Sequence, residues 1–163
     1  MRLLLVEDFR FIRRHVRTLL ASISGVEVVA EASSGEEAVA LARELRPDLV
    51  LMDISLEGMN GLVATETIRR ELPAVRVLVL SRHTEAEYVL RAMRAGACGY
   101  MPKGAVGTEL EPALAALARD EVWLSPSIPR EELAYCAEHL AESDHPLARR
   151  QFEYAGYFPD KRD

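Results

Sequence analysis

The feature that most constrains the fold of this chain is a strict alternation of short apolar runs with stretches of helical periodicity. Apolar runs of strand length lie at residues 3–6, 26–30, 49–52, 75–80 and 98–101. Such alternation predicts parallel strands joined by right-handed helical crossovers, with helices on both faces. We therefore predict an α/β fold with a doubly wound five-stranded parallel sheet of order 2-1-3-4-5. Ligands of such a sheet bind at the carboxyl ends of strands 1 and 3.

Local signals place the helices between these runs. Ser34 precedes Gly35 and two glutamates, a pattern typical of a capped helix start, and Thr84 is predicted to cap the fourth helix. Phe11 in the first helix and Tyr88 in the fourth fall on apolar stripes, so both are expected to face the core.

Length and composition fit one domain with a modest extension. The chain has 163 residues, of which 49% are hydrophobic, enough for one core. We predict a domain at residues 1–120, a turn-rich linker at 121–129 and a short helical tail at 130–163. The net charge of −6 argues against a broad nucleic-acid-binding surface, and no apolar run is long enough to cross a bilayer. Two cysteines outside any metal-binding spacing favour a reduced, cytoplasmic protein.

Polar residues follow the predicted strands where each strand ends. Glu7 and Asp8 follow strand 1, Asp53 follows strand 3, Ser81 follows strand 4 and Lys103 follows strand 5. Because the carboxyl ends of parallel strands meet at one rim, we expect these five side chains to converge.

These residue types suit phosphoryl transfer. Glu7, Asp8 and Asp53, with the backbone carbonyl of Ser55, offer the oxygen ligands that Mg²⁺ prefers. With the metal bound, Asp53 could attack a phosphorus centre, since the cation offsets charge on the phosphoryl oxygens. Lys103 would supply a second positive charge, and the Ser81 hydroxyl would follow a phosphoryl oxygen.

Taken singly, each residue has an ordinary structural explanation. An aspartate after a strand is often a helix N-cap, and a serine there is often a turn residue. Glu7 and Asp8 alone could form a solvated loop, and Lys103 alone could be a surface charge. Their joint placement at one rim is what favours a functional site.

At these residues the chain resembles the receiver domain of two-component response regulators, over about residues 1–120. The matching segments are 4–8, 48–53, 79–81 and 99–103, and residues 91–100 and 122–126 are similar to the NarL/LuxR class. The resemblance implies the flavodoxin-like receiver fold. It also implies that Asp53 accepts a phosphoryl group, with Mg²⁺, from a sensor histidine kinase or phosphotransfer protein.

The resemblance further implies a switch. Ser81 would turn toward the phosphoryl group, and Tyr100 would change its rotamer or exposure with it. Slow loss of the phosphoryl group to water is implied too, so the chain would be a phosphoacceptor switch rather than an enzyme.

Some positions depart from the usual receiver pattern. Glu57 stands where many receivers carry proline, which predicts a less rigid and more acidic loop. Pro102 precedes Lys103, whereas receivers often have proline after this lysine. Arg82 takes the place of a small residue, and we expect it either to narrow access to the acceptor or to contact phosphoryl oxygens. His83 is either a solvated loop residue or a group that acts on the attacking water.

The sequence of the tail does not indicate how the protein passes on a phosphorylation signal. Residues 130–163 carry five basic and eight acidic side chains, and no convincing recognition helix of a helix-turn-helix domain is visible in them. Our leading prediction is a receiver that signals by a phosphorylation-dependent conformational change and protein contact, for instance as a homodimer. The alternative is a transcription regulator with a truncated or degenerate DNA-binding domain. A phosphatase or phosphotransferase is least favoured, because no second nucleophile is visible.

Overall fold

The computed structural model of the protein describes residues 1–131 together with Leu133 and Ala134. Six strands form one parallel sheet in the order β2-β1-β3-β4-β5-β6. The strands are β1 (Arg2–Val6), β2 (Glu27–Ala32), β3 (Leu49–Asp53), β4 (Arg76–Ser81), β5 (Gly99–Pro102) and β6 (Trp123–Leu124). The helices are α1 (Arg10–Ala21), α2 (Gly35–Leu45), α3 (Gly61–Glu71), α4 (Ala86–Arg94) and α5 (Val106–Ala118), with a short 3₁₀ turn at Lys103–Ala105. The predicted alternation and the order of the first five strands are confirmed.

Two apolar layers hold the helices on the sheet. On one face, alternate residues of the central strands pack against α1 and α5, and this layer includes Leu51, Leu78 and Met101. On the other face, Met52, Val79 and their neighbours pack against α2, α3 and α4. Because successive side chains of a strand point to opposite faces, central strands with both faces covered are apolar throughout.

The prediction of five strands was wrong by one. Trp123 and Leu124, in the stretch assigned to a linker, pair in parallel with Gly99 and Tyr100 of β5. A Cβ at Gly99 would lie 2.9 Å from the carbonyl oxygen of Trp123, so the close approach of this edge strand depends on glycine. A strand of two residues is too short to show a periodic pattern, which is why the sequence did not indicate it.

Two local expectations were also wrong, while two were confirmed. The N-cap of α4 is Glu85 rather than Thr84. Tyr88 is half-buried and packs against the core, as expected. Phe11 is 78% exposed, because α1 turns its Val16 and Leu20 side toward the sheet. Ser34 does cap α2, since its hydroxyl accepts the N–H of Glu37 at 3.2 Å.

The predictions for the tail fall on residues that are mostly outside the described part of the chain. Ile128 and Leu133 are buried in the layer that faces α4. The predicted short helical tail at residues 130–163 lies almost entirely beyond the described residues. Within the described residues, none of the helices combines the length and apolarity needed to span a bilayer.

Candidate functional site

The carboxyl ends of β1 and β3 bring three carboxylates together. Glu7 and Asp8 follow β1 directly, and Asp53 is the last residue of the adjacent β3. One carboxylate oxygen from each lies within 4.8 Å of the others. Glu7 and Asp53 are each only 2% exposed, whereas Asp8 is half-buried. The sheet thus brings three carboxylates together in a largely buried pocket, and their convergence is the one predicted from the strand order.

Lys103 is the cation of this pocket. Its Nζ lies 2.7 Å from Glu7 Oε2 and 3.1 Å from Asp53 Oδ2, and its side chain is only 12% exposed. It reaches the pocket from the start of the 3₁₀ turn after β5. One ammonium therefore faces three carboxylates, which leaves a formal excess of negative charge.

The pKa of Glu7 reflects both its burial and its charged neighbours. Burial, the largest influence, raises the pKa of the Glu7 carboxyl above its ordinary value of 4.5. The contact with Lys103 lowers this pKa in part, and the negative charge of Asp53 raises it further. Within the described residues, Glu7 Oε2 is buried without a hydrogen bond in good geometry, despite the proximity of Lys103.

The donor set of the pocket fits a hard divalent cation. Three clustered carboxylates are the type of ligand that Mg²⁺ takes, and a cation would relieve their mutual repulsion. The loop after Asp53 adds backbone atoms to this rim. The N–H of Ser55 donates to Asp53 Oδ1 at 3.1 Å, so Ser55 lies directly beside the carboxylate.

The β4–α4 loop (residues 82–85) borders the pocket on its other side and connects the two predicted switch residues. Ser81, buried at the end of β4, accepts the N–H of His83 at 3.1 Å. Tyr100 is fully buried, and its hydroxyl donates to the carbonyl oxygen of His83 at 2.7 Å. His83 therefore contacts both switch residues through its backbone, a role that the sequence did not indicate.

The side chain of His83 is held as well. Its imidazole stacks on the Tyr88 ring with centroids 3.9 Å apart and planes 6° apart. Its Nδ1 lies 3.6 Å from Glu85 Oε2, an ion pair only when the histidine is protonated. Burial raises the pKa of Tyr100 to about 12, and the nearby Ser81 hydroxyl acts in the opposite direction.

An apolar groove of about 420 Å³ opens beside the rim, between α1 and the turn that carries Lys103. Arg82 is exposed and lines this groove together with Phe11 and Lys103. The two predicted modulators therefore lie on different sides, with Arg82 toward the groove and His83 toward α4.

The sequence is similar to those of known response regulators. The family description "Response regulator receiver domain" matches residues 3–115. Response regulator GacA of Pseudomonas aeruginosa is 36% identical over 157 residues, which cover 94% of this chain and 73% of that protein. Response regulator GacA of Pseudomonas viridiflava is 38% identical over 130 residues, which cover 80% of this chain and 61% of that protein.

Solved structures show the same likeness. A two-component response regulator of the LuxR family from Aurantimonas sp. SI85-9A1 superposes with a TM-score of 0.78 at 37% identity, covering 84% of this chain and 97% of that one. The chain thus spans 61% to 73% of the length of the two curated relatives, and it matches nearly all of the solved chain.

Proposed function

Because the chain belongs to the response regulator receiver domain family, we propose that it is a phosphoacceptor switch with Asp53 as the acceptor. Receiver domains are signalling switches rather than classical enzymes, and their phosphodonors are sensor histidine kinases or phosphotransfer proteins. The observation that supports Asp53 is its place in the pocket, where Glu7, Asp8 and Lys103 surround it at the end of a central strand.

The proposed step is an in-line transfer. A carboxylate oxygen of Asp53 attacks the phosphorus of a phosphohistidine and forms a P–O bond. The P–N bond breaks, its electron pair stays on the imidazole nitrogen, and that nitrogen takes up a proton. The product is an acyl phosphate on Asp53 and a neutral histidine on the donor.

Residues of the rim would share the charge of the transferred group. Lys103, already 3.1 Å from Asp53 Oδ2, would follow the phosphoryl oxygens as the negative charge moves onto them. Glu7, Asp8, Asp53 and the Ser55 carbonyl would hold Mg²⁺. The metal, when bound, would neutralise charge on the phosphoryl oxygens and so permit attack by an anionic carboxylate.

The β4–α4 loop would pass the phosphorylation signal from the pocket to the surface of the protein. Ser81 would donate its hydroxyl to a phosphoryl oxygen, which requires a new orientation next to the His83 N–H. A shift of this loop would alter the carbonyl that holds the Tyr100 hydroxyl, and so would change the surface near α4. We propose that this surface acts by protein contact, including contact with a second copy, in the cytoplasm.

Labelling with a small phosphodonor tests the acceptor. Acetyl phosphate with Mg²⁺ is expected to add one phosphoryl group to the protein, measured by intact mass, and borohydride reduction of the acyl phosphate locates it. Asp53→Asn is expected to abolish the label, because an amide oxygen does not form the acyl phosphate.

The matched control is Asp120→Asn. Asp120 is exposed and has a φ of 59°, a conformation that asparagine tolerates well, so labelling should be unchanged. Retained labelling of the Asp53→Asn variant would contradict the assignment of the acceptor.

A further inference from the structure

The β3–α3 loop (residues 54–60) is held by a residue from another element. Glu36, in the first turn of α2, accepts the N–H of Met59 through Oε1 at 2.9 Å. The two residues are 23 positions apart in the chain. The hydrogen bond is charge-assisted, which makes it stronger than a bond between neutral groups. Glu36 thus fixes the far end of the loop that begins beside Asp53.

Glycines let the helix and the loop approach this closely. A Cβ at Gly35 would lie 2.4 Å from the carbonyl oxygen of Met59, which real side chains do not tolerate. Gly58 has a φ of 73°, and a Cβ there would lie 2.9 Å from Glu36 Oε1. The start of α2 and the loop are therefore in contact at the level of their backbones, and the Glu36 carboxylate closes this contact.

Helix α2 is itself held at both ends. At its start, Ser34 accepts the N–H of Glu37, which defines where the helix begins. At its end, Arg43 donates two hydrogen bonds to Glu71 of α3, at 2.7 and 2.8 Å. Because buried residues of α2 and α3 also belong to one apolar cluster, Glu36 projects from a helix that is anchored beside α3, and it can restrain the loop that leads into α3.

We propose that Glu36 is a positioning residue for the loop that carries the Ser55 carbonyl, one of the proposed Mg²⁺ ligands. By holding Met59, it restrains the loop in which Ser55 lies beside Asp53. The inference rests on the proposed function, because the Ser55 carbonyl acts as a ligand only if the site binds Mg²⁺. Loss of the restraint leaves the loop to be ordered on metal binding, which weakens affinity.

The test compares three variants of the full chain, with Mg²⁺ alone as the probe. Calorimetric titration is expected to give a Kd for Glu36→Ala that is about fivefold to tenfold above wild type. Glu36→Gln keeps an oxygen acceptor without the charge, so its Kd should lie nearer wild type. Glu44→Ala, at an exposed glutamate of the same helix whose side chain makes no hydrogen bond or ion pair with the described residues, should leave the Kd unchanged.

Hydrogen exchange supplies a second readout that does not depend on the metal. The Met59 amide is expected to exchange at least about tenfold faster in Glu36→Ala, while amides of the central strands keep their wild-type rates. Equal weakening by Glu36→Gln and Glu36→Ala would overturn the inference, because distant charge rather than the hydrogen bond would then explain it. Unchanged exchange at Met59 would overturn it as well.

Labelling of Asp53 at saturating Mg²⁺ separates this inference from the proposed function. A wild-type protein that takes no label overturns the proposed function and, with it, the role of Glu36. A labelled wild type with an unchanged Kd in Glu36→Ala overturns only the role of Glu36.

Discussion

The β3–α3 loop and the β4–α4 loop border the same pocket, but different kinds of contact hold them. The first is fixed by backbone proximity, since Gly61 packs directly on the carbonyl of Asp53 and Gly35 packs directly on that of Met59. The second is fixed by exchangeable contacts, namely the Tyr100 hydroxyl on the His83 carbonyl and the stacking of His83 on Tyr88. The two sides of the pocket therefore differ in how easily they can move.

This difference matches the division of tasks in the proposed function. A site for a small divalent cation needs ligands at fixed positions, because Mg²⁺ demands near-ideal geometry. A switch needs an element with two arrangements of similar free energy, and single hydrogen bonds and ring stacks are contacts that can be exchanged. A β3–α3 loop that tolerated substitution, or a β4–α4 loop that resisted it, would contradict this division of tasks.

The largest effect is expected at the rigid loop. In Gly61→Ala the added Cβ would lie 1.9 Å from the carbonyl oxygen of Asp53 and 2.8 Å from its carbon, both of them backbone atoms. The backbone must shift, so we expect the free energy of unfolding to fall by about 3 kcal/mol. Urea denaturation followed by circular dichroism measures it.

Gly104→Ala is the matched control for this substitution. Gly104 follows Lys103 at the same rim, and a Cβ there would meet no atom within 4 Å. Its unfolding free energy should stay within about 0.5 kcal/mol of wild type. Equal stability of Gly61→Ala and Gly104→Ala would show that the first loop is not restrained by backbone contact.

The positions of the rim residues could be predicted from the sequence, whereas the contacts that restrain the loops could not. Parallel strand order determines which strand ends meet, so the sequence alone predicts Glu7, Asp53 and Lys103 at one rim. The hydrogen bonds of Met59 and His83 use their backbone N–H and carbonyl groups. The type of a residue does not indicate which distant side chain its backbone will contact.

The errors of prediction have similar physical causes. Strand β6 is two residues long and forms because Gly99 leaves room for it, a condition set by tertiary contact rather than by local pattern. Phe11 lies on the apolar stripe of α1, yet it is exposed and lines the groove beside Lys103, whereas Val16 and Leu20 of the same helix are buried. Periodicity indicates a helical face but does not indicate how far the core beneath it extends.

The second effect concerns Tyr100 and depends on pH. Its pKa is raised to about 12 from an ordinary value of 10.0, so the folded state keeps its proton while the unfolded state ionises. Between these values the folded state binds more protons, and the unfolding free energy must fall as pH rises, by about 2–3 kcal/mol in all. Urea denaturation between pH 8 and pH 12 measures this fall, with Tyr100→Phe for comparison.

Tyr100→Phe isolates this contribution from other alkaline titrations. At neutral pH we expect the variant to be about 1 kcal/mol less stable than wild type, because the His83 carbonyl loses its donor. The difference should shrink above pH 10 and reverse by about pH 11 to 12, because phenylalanine has no proton to retain. A difference that stays constant over this range would mean that the Tyr100 hydroxyl is not held in the buried position.

The smallest effect is expected from the stacking of His83, in the β4–α4 loop, on Tyr88. His83→Ala keeps both backbone hydrogen bonds of residue 83 but removes the imidazole from Tyr88, and we expect a loss of about 1 kcal/mol in unfolding free energy. A double-mutant cycle with Tyr88→Leu should give a coupling energy of about 0.5–1.5 kcal/mol. Arg82→Ala, at an exposed neighbour outside the stack, is the control and should change stability little.

Hydrogen exchange of His83→Ala tests whether the two loops are held independently. Exchange should accelerate in residues 82–85 and stay unchanged at Met59. Acceleration at both places would mean that the two loops move together.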